Sequence, residues 1–403
     1  MNRDVLVVGA GVFGAATAWA LAERGAHVLA VDAHGPTHRY GSSHGEGRIF
    51  RRAYWEGPSY LPLLDRAYEL WTELEETDGE PLLVRTGGVF VGSSDSGVVD
   101  RSRRTALLGG IEHAVWDAER LAERFPWFGV DPDMEALYEP GACTVLATRA
   151  RLAMLDAAVR RRAGVRFGDE VVAVRSAAQG LDVRLRSGET VSCGSVVLAT
   201  GPWAGQPLDA GAMDPAVLGA EFGAVLRPVR VPVYWFRADP RLGTAGFPAF
   251  LHESADGRVV YGLAEQSATR GVDGPLVKIG FHNHQQRPGD PRDTAPHDVP
   301  PAFRREMSEA VARVFTGIDP EPVSWRNCYY TLTPDGGFVI DRAARDPRIV
   351  HVAACSGHGF KFATAAGECA AALALGETPG IDLEPYGAQR FGGSRTGSDL
   401  HPA

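Results

Sequence analysis

The chain has 403 residues, of which 44% are hydrophobic and 23% charged, and it carries a net charge of −9. The length predicts two domains, and the composition is typical of a soluble globular protein. The negative charge and the scattered arginines argue against nucleic-acid binding, and no apolar run reaches the roughly 18 residues needed to span a bilayer.

The five cysteines are widely spaced and form no CxxC pair. This spacing argues against a disulfide framework and against a zinc site, so we expect no metal centre. The N-terminus begins directly in a strand pattern, without the charged and apolar regions of a secretory signal. These features predict a cytoplasmic protein.

The first 32 residues have the pattern of a βαβ unit. An apolar strand is predicted at 4–8, a glycine-rich turn at 9–14, a helix at 15–24 and a second strand at 27–32. The turn has the GxGxxG spacing, and Asp32 at the end of the second strand can accept hydrogen bonds from a ribose. A GxGxxG alone is weak evidence, but its register with the strand, the helix and the acid predicts a dinucleotide-binding site.

The residues of this turn have separate expected tasks. Gly9 permits the tight turn, Gly11 lets the backbone approach a pyrophosphate, and Gly14 lets the helix pack against the strand. Val12 and Phe13 complete the turn and begin the helix, whose N-terminal N–H groups favour a phosphate.

The rest of the chain alternates between helical and β-like segments. Helices are predicted at 58–77, 151–163, 303–315 and 360–375. Strands are predicted at 87–92, 171–174, 181–185, 338–341 and 349–354, and another begins at 196 and ends in the sequence Ala-Thr-Gly. The segment 226–260 is β-like, and 285–301 is a Pro-rich loop. Nucleotide-type elements at both ends enclose a β-rich middle, which predicts an α/β fold with a discontinuous nucleotide-binding domain and an inserted second domain.

A loop of small residues at 41–52 follows the βαβ unit and presents His44, Arg48 and Arg51. Its guanidinium groups can bind an anion through paired donors. A solvated basic loop is the plainer interpretation, but the position directly after the nucleotide motif favours a binding role.

Two later segments also combine small residues with chemically active side chains. The segment 325–335 contains Cys328, which taken alone would more often be a small buried hydrophobe than a reactive thiol. The segment 356–362 leads into a predicted helix, whose N-terminal dipole favours a negatively charged ligand. Taken singly, each segment is only suggestive.

Only two of the 41 basic residues are lysines, Lys278 and Lys361. A general bias toward arginine explains the count equally well. The neighbourhoods favour function, because Lys278 lies in VKIGFH and Lys361 in SGHGFKF, neither of which is typical of a solvated surface. Lysine also differs from arginine in having a compact ammonium whose pKa shifts readily on burial.

Together the motifs resemble those of the monomeric sarcosine oxidase and N-methyltryptophan oxidase family over nearly the whole chain. They are GAGVFG, SSHGEGRIFR, VKIGFH, CYYTLTPDGGFVID and SGHGFKF, in this order. The resemblance implies a monomer with a Rossmann-like FAD-binding domain and an inserted, β-sheet-rich substrate domain. The predicted FAD-binding domain comprises 1–85, 145–220 and 325–388, the substrate domain 86–144 and 221–324, and a flexible tail 389–403.

The resemblance also implies a reaction. A secondary amine, such as that of an N-methyl amino acid, would be oxidised to an imine that hydrolyses to amino acid and aldehyde, while O2 becomes H2O2. Cys328 matches the cysteine joined by a thioether to the 8α-methyl group of FAD. Arg51 and Lys361 match the pair that holds the substrate carboxylate, and Lys278 matches the lysine that promotes reaction with oxygen.

Other residues match the surroundings of the flavin and the substrate. His44 and Arg48 match residues beside the isoalloxazine ring, Tyr330 a substrate-pocket tyrosine, and His282 an active-site histidine. Further positions expected to contact the cofactor are Ser42, Ser43, Gly357, Gly359, Phe360 and Lys361. Physical chemistry supports the paired cations independently, since a desolvated carboxylate needs opposite charge.

The chain departs from the family pattern at several positions. Glu46 and Gly47 stand where Asp-Thr is usual, Cys355 where an aromatic is common, and Trp55 where glycine is usual. The segment 264–275 is longer than the family's corresponding loop. A larger secondary amine, a cyclic imino acid or a pathway-specific substrate therefore remains open beside sarcosine.

Three alternatives accompany this interpretation. One is an imine or cyclic-amine oxidase on the same fold. Another is an NAD(P)-linked dehydrogenase using the same GxGxxG, which predicts a colourless protein where the flavin hypotheses predict a yellow one. The third is a flavin-binding subunit or sensor without turnover, which has no need for both a carboxylate clamp and an oxygen-side lysine.

Overall fold

The computed structural model describes residues 3–204, 225–242, 246–266, 274–282, 284–292, 297–353 and 355–391. The strands in chain order are β1 Arg3–Val8, β2 Val28–Asp32, β3 Gly47–Phe50, β4 Leu83–Val84, β5 Gly88–Ser93, β6 Ala114–Asp117, β7 Met134–Glu139, β8 Cys143–Leu146, β9 Gly164–Phe167, β10 Val171–Ser176, β11 Leu181–Leu185, β12 Thr190–Leu198, β13 Arg227–Arg237, β14 Ala249–Glu253, β15 Val259–Ala264, β16 Leu276–Phe281, β17 Arg287–Pro288, β18 Ser324–Leu332, β19 Val339–Ala343 and β20 Asp346–Ala353.

The α-helices are α1 Val12–Glu23, α2 Leu61–Asp78, α3 Gly97–Leu108, α4 Ala118–Arg124, α5 Ala147–Arg160, α6 Pro301–Val314 and α7 Ala363–Ala374. Short 3-10 helices lie at Pro58–Tyr60, Gly201–Trp203, Pro240–Leu242, Phe360–Phe362, Glu384–Tyr386 and Ala388–Phe391. None of the helices in these described ranges is long and apolar enough to cross a membrane.

The first sheet has the order β10-β11-β12-β1-β2-β9, with β20 paired to β12 and β19 to β20. Its centre is parallel, since β1 pairs in parallel with β2 and β12, and β12 with β20. The helices α1, α5 and α7 share one apolar core with this sheet, and α1 packs directly on α7. A parallel sheet covered by helices confirms the predicted Rossmann-like α/β class.

The turn between β1 and α1 depends on two glycines. Gly9 has φ of +93°, a conformation that L side chains rarely adopt. A Cβ at Gly14 would lie 1.8 Å from the Gly9 carbonyl oxygen, so the helix can begin at Val12 only if residue 14 has no side chain. This close approach starts the helix three residues before the predicted residue 15.

Replacing Gly14 with alanine is therefore expected to destabilise the fold by about 3 kcal/mol or more, because the methyl group meets backbone that cannot rotate away. Urea unfolding followed by circular dichroism measures the change. Gly35→Ala is the matched control, since a Cβ at Gly35 meets no atom within 4 Å and should change stability by less than about 0.5 kcal/mol. Equal stabilities for the two variants would contradict this account.

The second sheet has the order β17-β13-β16-β15-β14-β5-β7-β6, with β18 also paired to β13. Helix α6 packs its apolar face, including Met307 and Val311, into the core of this sheet. A third sheet, β3-β8-β4, joins the loop after the βαβ unit to residues 143–146.

Several predicted bounds differ from the observed ones. Between 93 and 150 no element was predicted, whereas α3, α4, β6, β7 and β8 lie there. The helix predicted at 360–375 is a 3-10 turn followed by α7. The predicted boundary at 325 falls inside β18, whose nine residues pair continuously with β13 of the second sheet.

The flexible tail was predicted to begin at 389, but residues 388–391 form a 3-10 turn. The Arg390 guanidinium donates to Asp335 and to the Phe338 carbonyl, which ties this turn to the fold. The rest of the predicted tail and most of the long 264–275 loop lie outside the described residues. The exact domain boundaries stay a prediction.

Candidate active site

A cavity of about 880 Å³ lies between the first two sheets. It is lined by the carboxyl ends of β1, β2, β12 and β20 on one side and by residues of β13, β15, β16 and β18 on the other. The predicted site residues that line it are Gly9, Gly11, Val12, Phe13, Asp32, Ser42, Ser43, His44, Arg48, Arg51, Lys278, His282, Cys328, Tyr330, Gly357, Gly359, Phe360 and Lys361. Gly14 alone among the predicted residues lies beneath the lining, as expected for a packing glycine.

The dinucleotide turn is fixed by hydrogen bonds to side chains. The Asp32 carboxylate accepts from the Ala10 N–H at 2.8 Å and from the His34 N–H at 2.8 Å. The Val12 N–H donates to Ser43 Oγ at 2.9 Å, so the 41–52 loop closes against the start of α1. Asp32 keeps lone pairs free for a further donor, such as a ribose hydroxyl.

Arg48 is held by three carbonyl oxygens of its own loop. Its guanidinium donates to those of Gly47 at 2.9 Å, Ser42 at 2.9 Å and His44 at 2.7 Å. Burial, followed by the charge of Arg48, holds the pKa of His44 well below its usual value, so this imidazole is neutral at neutral pH. The loop therefore presents one fixed cation and one neutral imidazole to the cavity.

Lys278 reaches the same loop from β16. Its ammonium donates to the Gly47 carbonyl at 2.6 Å, and in the strand register it lies between Trp235 of β13 and Leu263 of β15. The Gly47 carbonyl can accept from both Lys278 and Arg48 because its oxygen has two lone pairs. A Cβ at Gly47 would lie 2.4 Å from Leu263 Cδ1, so only glycine fits here without a shift of Leu263. A buried ammonium and a half-buried guanidinium thus share one carbonyl oxygen at the cavity wall.

Cys328 lies in the middle of β18, opposite Val231, and is a buried free thiol on the cavity wall. Thr331, three residues along the same strand, is 1% exposed and lines the cavity, yet its hydroxyl has no hydrogen-bond partner. A buried hydroxyl without a partner is costly. The Thr331 hydroxyl without a partner and the thiol on the cavity wall therefore fit a polar cofactor in this part of the cavity.

A second charged group lies where α7 begins. Arg51 Nη2 donates to Glu56 Oε2 at 2.8 Å, and Lys361 Nζ donates to the His358 carbonyl at 2.8 Å. Burial, followed by the charge of Arg51, lowers the pKa of Lys361 to about 7. Burial alone would raise the pKa of Glu56, but the neighbouring charges, Arg51 foremost, lower it to about 2.

Two further side chains that line the cavity are neutral, His282 near this charged group and Tyr330 near Cys328. Burial lowers the pKa of His282 to about 4, and burial raises that of Tyr330 well above 10, so both side chains are neutral near pH 7. Tyr330 hydrogen-bonds to Tyr261. Gly357, with φ of +85°, leaves room for the Tyr330 ring, which lies 2.4 Å from where a Cβ would be.

Sequence reasoning missed Glu56, Tyr261, Tyr54 and Arg151. Glu56 and Tyr261 line the cavity, Tyr54 lies behind Arg51 and Lys361, and Arg151 of α5 donates to the Ala10 carbonyl at 2.8 Å. Only Glu56 had a usable signal, as an acid five residues after a candidate carboxylate-binding arginine. In the described ranges, no cluster of three or more His, Cys, Asp or Glu side chains could hold a metal ion.

Residues 4–373 match the family described as FAD dependent oxidoreductase. The chain is 35% identical over 391 residues to a monomeric sarcosine oxidase of Streptomyces avermitilis, covering 95% of this chain and 96% of that protein. It is 31% identical over 394 residues to an N-methyl-L-tryptophan oxidase of Yersinia pestis, covering 97% and 100%.

Among solved structures, NikD, described as an unusual amino acid oxidase essential for nikkomycin biosynthesis, superposes with a TM-score of 0.79. The two chains are 23% identical, with 96% of this chain and 97% of that chain covered, so this likeness bears on the fold alone. The family match and the two full-length relatives go further: the chain belongs to the FAD dependent oxidoreductase family.

Proposed function

We propose that this oxidoreductase acts on the secondary amine of an N-methyl amino acid. The amine is oxidised to an imine, which water hydrolyses to amino acid and aldehyde, and O2 is reduced to H2O2. The observation that carries the proposal is one cavity joining the dinucleotide turn, the Cys328 thiol and a buried pair of cations, Arg51 and Lys361. Two relatives are named as oxidases of sarcosine and of N-methyl-L-tryptophan, both N-methyl amino acids.

FAD, when bound, supplies the two-electron chemistry. The α1 N-terminus and Asp32 would hold its phosphates and ribose, and Cys328 would hold its flavin end through a thioether. The residues present suit this arrangement, because Gly11 has no side chain to block the approach of a phosphate to the turn and the Thr331 hydroxyl needs a partner.

Arg51 and Lys361 bind the substrate carboxylate. A carboxylate moved from water into a closed site needs nearby cations and hydrogen-bond donors to offset its lost hydration. Arg51 uses two of its N–H groups on Glu56 and on the Ala53 carbonyl, and its fork provides five. Paired anchoring at one end also fixes the orientation of a small substrate.

With its carboxylate fixed, the substrate directs its amine toward the neutral region around Tyr330 and His282. Two-electron oxidation of an amine requires the unprotonated nitrogen with its lone pair. An imidazole that stays neutral above about pH 4 can accept a hydrogen bond from a secondary N–H without adding positive charge beside it.

The function is tested on purified protein by peroxide release. Sarcosine, larger N-methyl amino acids and their parent primary amino acids are compared at equal concentration. Peroxide from the N-methyl compounds alone supports the proposal. A colourless protein that reduces NAD(P) instead would overturn it.

A cyclic imino acid is a second candidate substrate, favoured by Cys355. This small side chain lines the cavity beside Tyr330, at a position where an aromatic is common in the resembling family. A small side chain at this position of the cavity wall leaves room for the ring of a cyclic substrate. Faster turnover of proline-like or larger cyclic imino acids than of sarcosine would favour this candidate.

Substrate binding is expected to depend on the charge of Lys361. Because the pKa of Lys361 is about 7, its ammonium is present below that pH and is lost as the pH rises. Affinity for acetate, a carboxylate that cannot be oxidised, should therefore fall by about tenfold per pH unit well above the pKa. Calorimetric titration of the holoenzyme from about pH 6 to about pH 9 measures this dependence.

Lys361→Arg is the matched control, since arginine keeps its charge throughout this range. Its acetate affinity should vary little with pH, whatever its absolute value. A steep pH dependence that survives in the variant would assign the titration to another group. The pKa values of His282 and His358, about 4 and about 3, lie well below the range tested.

The attachment through Cys328, the individual residue roles, the monomeric state and the cytoplasmic location stay predictions. Gel filtration with light scattering tests the oligomeric state. Acid precipitation tests the attachment, because covalent flavin stays with the protein pellet.

A further inference from the structure

We propose that Tyr54 positions both cations of the carboxylate clamp, with His358 fixing its orientation. The Arg51 guanidinium carbon lies 4.5 Å from the centroid of the Tyr54 ring, and Lys361 Nζ lies 4.8 Å from it. Tyr54 is fully buried and does not line the cavity, so it acts through the cations rather than on the substrate. The proposal rests on the proposed function, in which these cations receive a carboxylate.

The physical problem at this end of the cavity is that two like charges lie close together. The proximity is reflected in Lys361, whose pKa falls through burial and then through the charge of Arg51. The face of an aromatic ring carries negative potential, and a cation over it is attracted more strongly in a desolvated site than in water. One ring that contacts both Arg51 and Lys361 offsets part of their repulsion and sets their spacing.

Hydrogen bonds hold the ring in this orientation. His358 Nε2 lies 3.0 Å from the Gly336 carbonyl oxygen, which can only accept, so the imidazole proton is on Nε2. His358 Nδ1 must then accept the hydrogen bond from the Tyr54 hydroxyl at 2.6 Å. Burial lowers the pKa of His358 to about 3, which keeps this tautomer neutral at neutral pH.

Neighbouring rings leave Tyr54 little freedom to turn. Tyr60 and Phe362 meet it edge-on, with centroids 5.3 Å and 5.4 Å away. Lys361 also donates to the carbonyl of His358, the residue that holds the Tyr54 hydroxyl. The backbone of 358–361 and the Tyr54 ring are therefore one fixed support for the Lys361 ammonium.

The expected signature is a loss of carboxylate binding without a matching loss of turnover. Tyr54→Leu removes the ring and should weaken acetate binding, and raise KM for an N-methyl amino acid, by about tenfold or more. Both kcat and the kcat/KM for a simple N-methylamine without a carboxylate should change by less than about threefold. A merely structural defect would instead lower kcat/KM for the N-methyl amino acid and for the simple N-methylamine by the same factor.

Tyr234→Leu is the matched control for losing a fully buried tyrosine. Tyr234 lies in the core of the second sheet, where its hydroxyl donates to Gln285, and it does not line the cavity. The Tyr234→Leu variant should bind acetate as tightly as the wild type does, whereas the Tyr54→Leu variant should bind it more weakly.

A series of progressively fluorinated phenylalanines at position 54 keeps the shape of the ring and removes its negative face. Acetate affinity, measured by calorimetry, should fall stepwise along this series even if Tyr54→Leu does not fold. An affinity independent of fluorination overturns the positioning role of Tyr54 and leaves the clamp intact. A wild-type protein that binds no acetate overturns the clamp itself, and this proposal with it.

Discussion

Replacing Cys328 with alanine is expected to abolish flavin fluorescence in the protein band of a denaturing gel. Cys328 is a free thiol on the cavity wall, on a strand that pairs along its whole length with β13. Alanine has no sulfur with which to form a thioether, so denaturation would release any bound FAD. The loss should be complete rather than partial.

Cys355→Ala is the control that makes this result specific. Cys355 is also a free thiol lining the same cavity, and burial raises its pKa above the usual value, which disfavours a nucleophilic thiolate. Fluorescence should persist in this variant. Fluorescence that persists in Cys328→Ala and disappears in Cys355→Ala would assign the attachment to Cys355 instead. Its absence from the wild type would mean that FAD is held without a covalent bond.

The residues that sequence patterns could place are those in continuous motifs. The GxGxxG turn was predictable because its backbone leaves little choice: Gly9 needs positive φ, and Gly14 has no room for a Cβ. Lys278 and Lys361 were predictable from their apolar or small-residue surroundings. All of these lie on the elements that the motifs themselves form.

The residues that were missed act through contacts distant in the chain. Tyr54 matters because its hydroxyl donates a hydrogen bond to His358, 304 positions away, and Arg151 because it donates from α5 to the carbonyl of Ala10 in the dinucleotide turn. Neither contact leaves a local signal of periodicity or spacing. A single sequence does not distinguish a tyrosine buried in an apolar core from one buried behind two cations.

The missed secondary structure between 93 and 150 has a similar cause. The strand β7 reads MEALYE, and its buried positions include Leu137 and Glu139 on one face as well as Ala136 on the other. Glu139 is buried because its carboxylate accepts from the backbone N–H groups of Arg52 and Ala53. A carboxylate that serves as an internal backbone cap disrupts the alternation by which a half-buried strand is normally detected.

The two lysines have opposite surroundings within one cavity. Lys278 shares the Gly47 carbonyl with Arg48, beside the 41–52 loop, at the end proposed for the flavin. Lys361 contacts Tyr54 and His358 beside Glu56, at the end proposed for the substrate. Loss of charge at the two positions should therefore affect different half-reactions.

Replacing Lys278 with methionine is expected to slow the reaction of the reduced enzyme with oxygen by about 100-fold to 1,000-fold. Negative charge develops on oxygen as it accepts an electron, and the Lys278 ammonium is a preorganised buried cation at the cavity wall. The fold should tolerate the change, because methionine has a similar length and the Gly47 carbonyl still accepts from Arg48. Stopped-flow mixing with oxygenated buffer measures the rate.

Anaerobic reduction by substrate should change by less than about threefold in Lys278→Met, since no substrate anchor is lost. Lys361→Met should show the reverse, with weakened substrate binding and a normal rate with oxygen. Both variants remove one buried ammonium from the same cavity, so a general loss of positive potential would slow both half-reactions in both proteins. If Lys278→Met slows only the reaction with oxygen and Lys361→Met weakens only substrate binding, each ammonium acts on its own half-reaction. Equal effects of the two variants on both half-reactions would show that only the summed charge matters.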